Sequence, residues 1–566
     1  MVFSDHSACD ITQFNLTSIG PISASNPILG YYVDSTAPIN VEDQPMLPTT
    51  SVLAKIQDIA RYLIASDDPQ IVIAIHGYGT QRSDAEERYR KIYQYAGQLC
   101  QPNSSVFFGY HWPSEKPSGD PSIPGEGFST KLQNAFQALP ILPKSIFWIG
   151  LILSIIATLI TLVVESLNGW LIPILVISVS AFSILLCLIL LRLSTYFRDQ
   201  YRATNYGVLD LVELIRQLDQ AVTEMDSEGT ITRGPKKIKL SFLGHSMGCF
   251  VVTNTIRILS DVFNPWAVEK RPLSNIGRVF SLERLILVAP DIPIETVIPR
   301  RANFLRSSLR RCQEAYVFAN EGDLAVRLAS TAANYFSFPG KTRFSGYRLG
   351  NLTAKRFRNQ SDRNNRQLGE KDYGIVNLSG DRVEPPYHCL EIRSSDQEHK
   401  ALYEIRDLAE IEKENLENMQ ETPVSDLFTY FDCTDYIDVV GAPDGTWQRG
   451  STQGVVSYAR RKSALNLQDY ASLCFAFFLG WPRSINVHGG YFDGVLSQQL
   501  MYKLAFLGFG GLLTSSTLEP SSETTRFKSL SSDTKKVLLD QLSQQCQKQQ
   551  IQVVLAPIRY QQDILQ

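Results

Sequence analysis

The 566-residue chain predicts an α/β fold, a mainly parallel sheet covered by helices on both faces and interrupted by a two-helix transmembrane hairpin. Three observations carry that expectation. Short apolar runs alternate with helical patterns, which suits strands buried on both faces. A glycine-flanked serine sits where one such run meets a helix. Two long apolar runs, each without a charged side chain, split the alternation.

The expected strands are Ile71–Ile75, Val106–His111, Ile238–Leu243, Leu285–Ala289, Ala315–Ala319 and Tyr436–Val440. Between the first two, Ser83 and Glu86 have the spacing of a capping box, which would start a helix by satisfying exposed amides reciprocally. Between the second and third, Val208, Leu211, Val212 and Ile215 form a helical stripe. After the third, Val251, Val252, Ile256 and Leu259 mark another helix with one buried side.

Residues 146–164 and 170–191 are apolar runs, each long enough to cross about 30 Å of hydrocarbon as a helix. Only Glu165–Gly169 separate them, so they predict a hairpin entering and leaving on one side. Lys131, Lys144, Arg192, Arg198 and Arg202 flank the hairpin, whereas its connecting loop has no Lys or Arg. The positive-inside rule then places the main domain in the cytoplasm. With no charge inside either span, an ion or solute pathway is not expected.

The expected organisation is an extension over 1–65, the first part of the α/β domain over 66–143 and the hairpin segment over 144–194. A central part over 195–340 is followed by a polar insertion over 341–429, a final part over 430–510 and a tail over 511–566. The apolar segment 469–481 suits a core helix, a lid or a membrane-facing surface. A formal net charge of −3 gives no reason to expect nucleic-acid binding. The nine cysteines are scattered without a C-x-x-C pair, which predicts neither a zinc site nor redox chemistry. The N-terminus lacks the basic and apolar regions of a secretory signal.

Gly244-His245-Ser246-Met247-Gly248 fits the G-x-S-x-G elbow, in which small neighbours let a serine sit on a sharp strand-to-helix turn. A serine hydroxyl is a weak nucleophile near neutral pH, so it needs a histidine base and an acid to orient that base. Only His388, His399 and His488 follow Ser246. The first two lie in the polar insertion, whereas His488 lies in a glycine-bearing loop beyond the last expected strand. For the acid, Asp323 is preferred to Asp291, because Pro290 and Pro293 make the latter part of a rigid turn whose carboxylate serves structure. His76-Gly77-Tyr78-Gly79 follows the first expected strand, so the amides of Tyr78 and Met247 are the candidate oxyanion donors. His76 itself is expected to brace the loop.

In order along the chain, HGYGT, YHWPS, GHSMG, LVAPDI, YVFANEGDLAVRLAS and VHGGYF resemble the motifs of α/β-hydrolases, in a bacterial branch of mostly unassigned substrate. The resemblance runs from about Ile71 to Gly494, excluding the hairpin and the polar insertion. It implies a serine hydrolase acting on an acyl ester through Ser246, Asp323 and His488, with no metal or organic cofactor; the hairpin, which a typical member lacks, would anchor it to a membrane and leaves open whether the substrate is soluble or a lipid. GHSMG is shared by lipases, esterases, thioesterases and acyltransferases, so acyl transfer and thioester cleavage stay open. A silent fold serving as a membrane-bound interaction module is the alternative of another class. Protein partners are not indicated.

Overall fold

The computed structural model describes residues 14–20, 27–38, 51–115, 145, 148–156, 179, 193–260, 274–297, 305–332, 347–354, 373–386, 389–394, 397–401, 424–436, 439–441, 447–449, 487–515 and 527–565. An 11-stranded sheet organises them. Its strands are β1 (Phe14–Ser18), β2 (Leu29–Ser35), β3 (Gln70–Ile75), β4 (Ser105–His111), β5 (Ile238–His245) and β6 (Asn275–Ile276). They continue with β7 (Phe280–Val288), β8 (Glu314–Ala319), β9 (Gly374–Ile375), β10 (Phe428–Asp432) and β11 (Gln552–Val554).

The order is β1-β2-β4-β3-β5-β7-β8-β10-β11-β9, with β6 paired to β7. From β2 to β10 every neighbour on this path is parallel. Antiparallel pairing occurs at β1–β2, β6–β7 and β10–β11, so the sheet is mixed but mostly parallel. Parallel strands need crossover helices. These are α1 (Ser51–Ala65), α2 (Arg82–Leu99), α3 (Val208–Met225), α4 (Met247–Leu259), α5 (Leu324–Ala332), α6 (Val495–Thr514) and α7 (Ser532–Lys548).

Two apolar clusters cover the two faces. On β3, Ile71, Ile73 and Ile75 join Ile56 of α1, Leu211 of α3 and Val251 of α4. Val72 and Ala74 point the other way, toward Tyr89 of α2, Leu500 of α6 and Leu539 of α7. Alternation along a strand thus feeds two cores, and both faces are dry. Full burial of each such side chain contributes about 1.5–3 kcal/mol. This is an α/β architecture.

Several sequence expectations change. Residues 14–65, expected as an extension, supply β1, β2 and α1, and β2 pairs with β4 along its length. The strand expected at Tyr436–Val440 is instead β10 at Phe428–Asp432, which overlaps the end of the segment taken as a polar insertion. Tyr436 lies outside any strand, and Val439–Gly441 pair with Trp447–Arg449 in a separate two-stranded sheet. The segment 511–566, expected as a tail, contributes α7 and β11, and β11 lies between β10 and β9. The Ser83–Glu86 capping box does not form: α2 starts at Arg82, and Gln81 at its N-cap makes no side-chain cap. Glu86 pairs with Arg82 instead, at 2.8 Å, and Arg82 also holds Asp34 of β2 at 2.8 Å.

No helix among the described residues is long and apolar enough to cross a membrane. Most of the two spans expected at about 146–164 and 170–191 lies outside the described residues, as does the apolar segment 469–481. The described part of the first span is helical over 148–156, with Trp148, Ile149, Ile152, Leu153 and Ile155 exposed.

Asp210 is a buried acid on α3, hydrogen-bonded by Ser35 at the end of β2. Burial pushes its carboxyl up from 3.8 to about 7. The folded chain therefore holds this proton more tightly than the unfolded chain. The resulting stability is fully present below the unfolded value and is lost as pH rises through about 7. Asp210→Asn removes that loss, so thermal melts should show a larger gain over wild type near pH 8 than near pH 5.

Candidate active site

The strand β5 runs directly into α4, and the single residue between them, Ser246, has φ 55° and ψ −124°. A side chain rarely adopts this conformation, whose strain costs about 1–3 kcal/mol. The turn forms because Gly77, Gly244 and Gly248, which pack against it, lack side chains. A Cβ on Gly248 would lie 2.5 Å from the carbonyl oxygen of His76 and 2.7 Å from that of Ile75. A Cβ on Gly77 would lie 2.7 Å from Cβ of Ser246. The end of β3, the loop that follows it and the elbow are therefore in direct contact. Ser246 sits at the N-cap, where a serine ordinarily accepts a bond from the helix. Its side chain makes no such cap, and Oγ is buried without a hydrogen-bond partner.

Gly77→Ala should displace the serine or the loop. A misplacement of about 1 Å at a reacting group can cost about 100-fold in rate. The expected result is a loss of that order in kcat with near-normal far-UV circular dichroism.

Asp323 follows β8 and immediately precedes α5, and it is fully buried. Its Oδ1 accepts the amides of Ala325 and Val326 at 3.1 Å, so the first turn of α5 helps to carry the negative charge. Its Oδ2 lies 2.7 Å from Nδ1 of His488. This contact assigns the proton to Nδ1 and leaves Nε2 as the base. His488 Nε2, like Ser246 Oγ, is buried without a hydrogen-bond partner, so the serine–histidine bond is not formed here. Such bonds often tighten only when substrate binds.

His245, which has no role in the sequence reading, ties the two sides together. Its Nε2–H donates to the carbonyl oxygen of His488 at 2.9 Å, and its ring centre is 4.8 Å from that of His488. Arg88 Nη1 donates to its Nδ1 at 3.3 Å. Burial, then the neighbouring charge of His488 and of Arg88, push His245 well below the usual histidine range. It is therefore a neutral brace. Being next to the nucleophile, it carries the position of Ser246 to the backbone that holds His488.

On the oxyanion side, Met247 is the first residue of α4, whose leading amides have no partner within the helix. Tyr78 lies between two anchored residues. The Gly77 carbonyl oxygen meets His76 Nδ1 at 2.8 Å and accepts the Thr80 hydroxyl at 3.0 Å, and the Gly79 amide donates to Asp199 at 2.8 Å. The Gly77–Ser246 and Gly248–His76 contacts hold these two candidate donors beside the nucleophile. His76 stacks on Trp112, and burial lowers its pKa to about 4, which suits bracing and not proton transfer.

Asp291 is engaged elsewhere. Its carboxylate pairs with Arg348 at 2.9 Å, both nearly fully buried, and its amide donates to the carbonyl oxygen of Ser246 at 3.2 Å. The structure thus gives the contact with His488 to Asp323.

A cavity of about 140 Å³ adjoins the elbow, with Met247 and Phe250 of α4, Ile292, Leu305 and Tyr196 among its walls. Among the described residues no cluster of three or more His, Cys, Asp or Glu side chains is arranged to hold a metal. Cys249, two residues beyond Met247, is buried, and burial pushes its thiol well up, away from nucleophilic chemistry. Of the other two histidines after the nucleophile, His388 lies outside the described residues, and so does the side chain of His399, whose backbone is in a short strand.

In comparisons with known proteins, no family model, no curated protein and no solved structure matches the chain.

Proposed function

We propose that the chain is a serine hydrolase of the α/β-hydrolase type that cleaves an acyl ester through an acyl-enzyme. The observation that carries this reading is the Asp323–His488 pair, tied through His245 to the adjoining serine, which is held at positive φ between a parallel strand and a helix. The chain order of serine, acid and histidine, and a glycine loop after β3, support the same fold type.

Chemically, Ser246 Oγ attacks the ester carbonyl while His488 Nε2 takes its proton. Asp323 holds the imidazole in the required tautomer and stabilises its charged form. The amides of Tyr78 and Met247 donate to the oxygen that gains charge, and each fixed donor contributes about 3 kcal/mol at the transition state. His488 then returns its proton to the leaving alcohol. Water, deprotonated by the same imidazole, releases the acid.

The space of about 140 Å³ beside Met247, walled by Phe250, Ile292 and Leu305 and also by Asn254, Asp291 and Arg348, supports a small acyl group at the elbow. The exposed apolar side chains over 148–156 support a membrane anchor in 146–191, with the hydrolase domain on the cytoplasmic side.

The experiment is a series of nitrophenyl esters from acetyl to dodecanoyl, assayed on carbonate-washed membranes carrying the full chain and on a chain lacking 146–191. Turnover should favour the shorter acyl chains, sediment with the membranes for the full chain and become soluble for the shortened one. Turnover of no ester in either form would contradict the hydrolase reading. Soluble full-length activity would contradict the anchor.

A further inference from the structure

The helix that leaves the apolar segment reaches into the site. Residues 193–202 are helical and pass through a π turn at Ala203–Gly207 into α3. Two of their side chains touch the loop that carries Tyr78. Asp199, fully buried, accepts the Gly79 amide on Oδ2 at 2.8 Å, and the same oxygen accepts the Ser114 hydroxyl at 2.8 Å. Its Oδ1 accepts from Arg198 Nε at 2.9 Å, with Arg202 at 3.9 Å. Tyr196 sets its ring edge-on to that of Tyr78, with centres 5.8 Å apart. Its hydroxyl accepts from Arg348, which pairs with Asp291 beside the elbow.

Burying a carboxylate is costly unless its bonds are made. Here one of those bonds goes to the amide next to a candidate oxyanion donor, in a loop whose Gly79 has φ 59°. A charge-assisted bond is roughly twice as strong as a neutral one, so it fixes the peptide plane on one side of Tyr78 more firmly than a neutral acceptor does.

We propose that Asp199 is a positioning residue for the oxyanion loop, and that through it and Tyr196 the docking of the helix leaving the 146–191 segment sets the competence of the site. The inference rests on the hydrolase reading above. It makes the apolar segment more than a tether: a shift of its exit helix moves the Tyr78 amide.

The test compares wild type, Asp199→Ala and Asp199→Asn in the full chain, by ester kinetics and by amide hydrogen exchange of the peptide covering residues 76–82. Asp199→Ala should lower kcat by about 100-fold with KM little changed, and speed exchange in that peptide. Asp199→Asn, whose amide oxygen still accepts the Gly79 N–H but as a neutral acceptor, should fall between wild type and Asp199→Ala in both. Unchanged kcat, a loss confined to KM, or unchanged exchange in Asp199→Ala would overturn the proposal. A wild type that turns over no ester overturns the hydrolase reading and the catalytic role of Asp199 together. The exchange data separate that outcome, because they report whether Asp199 holds the loop without any turnover.

Discussion

Asp323→Asn should lower kcat by about 10⁴-fold, while Asp291→Asn should keep most of the rate and lose stability. The difference follows from what each carboxylate touches. In Asp323→Asn the side-chain oxygen can still accept the amides of Ala325 and Val326, so the start of α5 survives. Its NH₂ group then faces His488 Nδ1, which must become an acceptor, and the proton moves to Nε2, where a base is needed. In Asp291→Asn the site keeps its imidazole geometry, but the buried Arg348 loses the carboxylate it pairs with. Breaking a buried pair in this way costs about 3–5 kcal/mol. Kinetics and thermal melts on both variants check the contrast. A large rate loss for Asp291→Asn beside a near-normal Asp323→Asn would reverse the two roles.

Ser246→Ala should remove turnover by about 10⁶-fold and leave folding unchanged. Oγ makes no hydrogen bond in the folded chain, so deleting it orphans no buried group. Alanine has the same Cβ and therefore bears the same strain at φ 55°. Glycine does not. Ser246→Gly should be equally inactive yet raise the melting temperature, because relief of a left-handed side chain is worth about 1 kcal/mol or more. A protein more stable without its serine is the signature of strain held for function. Melting temperatures of the three forms, measured together with ester turnover, decide it.

The central strands were legible because a parallel sheet buried on both faces demands continuous apolar runs, and β3, β4, β5, β7 and β8 have them. Their ends extended by one to five residues where polar side chains finish a strand, as Gln70 and Ser105 do. Those two bond each other at 2.9 Å across the edge of β3 and β4, which no local pattern reports. The strand β10 was hidden for the same reason. Thr429 and Asp432 make FTYFD look half-exposed, but Thr429 accepts the Ala556 amide, and Asp432 accepts from Thr353, Ala354 and Thr434. Tertiary partners satisfy groups that sequence patterning assigns to solvent.

In the site, Ser246 and its glycines were legible because a strained elbow restricts residue types locally. Asp323 and His488 were legible from their order after the nucleophile. His245 and Asp199 were not. A histidine that donates to a carbonyl 243 residues away, and an aspartate that accepts an amide 120 residues before it, leave no trace in spacing. An acid a few residues beyond an apolar segment was the one hint available for Asp199.

The most direct measurement is peptide mapping of the chain after reaction with a serine-directed fluorophosphonate. The account predicts one adduct, on Ser246, formed rapidly in wild type, formed far more slowly in Asp323→Asn and absent in Ser246→Ala. An adduct on another serine with Ser246 unmodified, or labelling that survives Ser246→Ala undiminished, would contradict it.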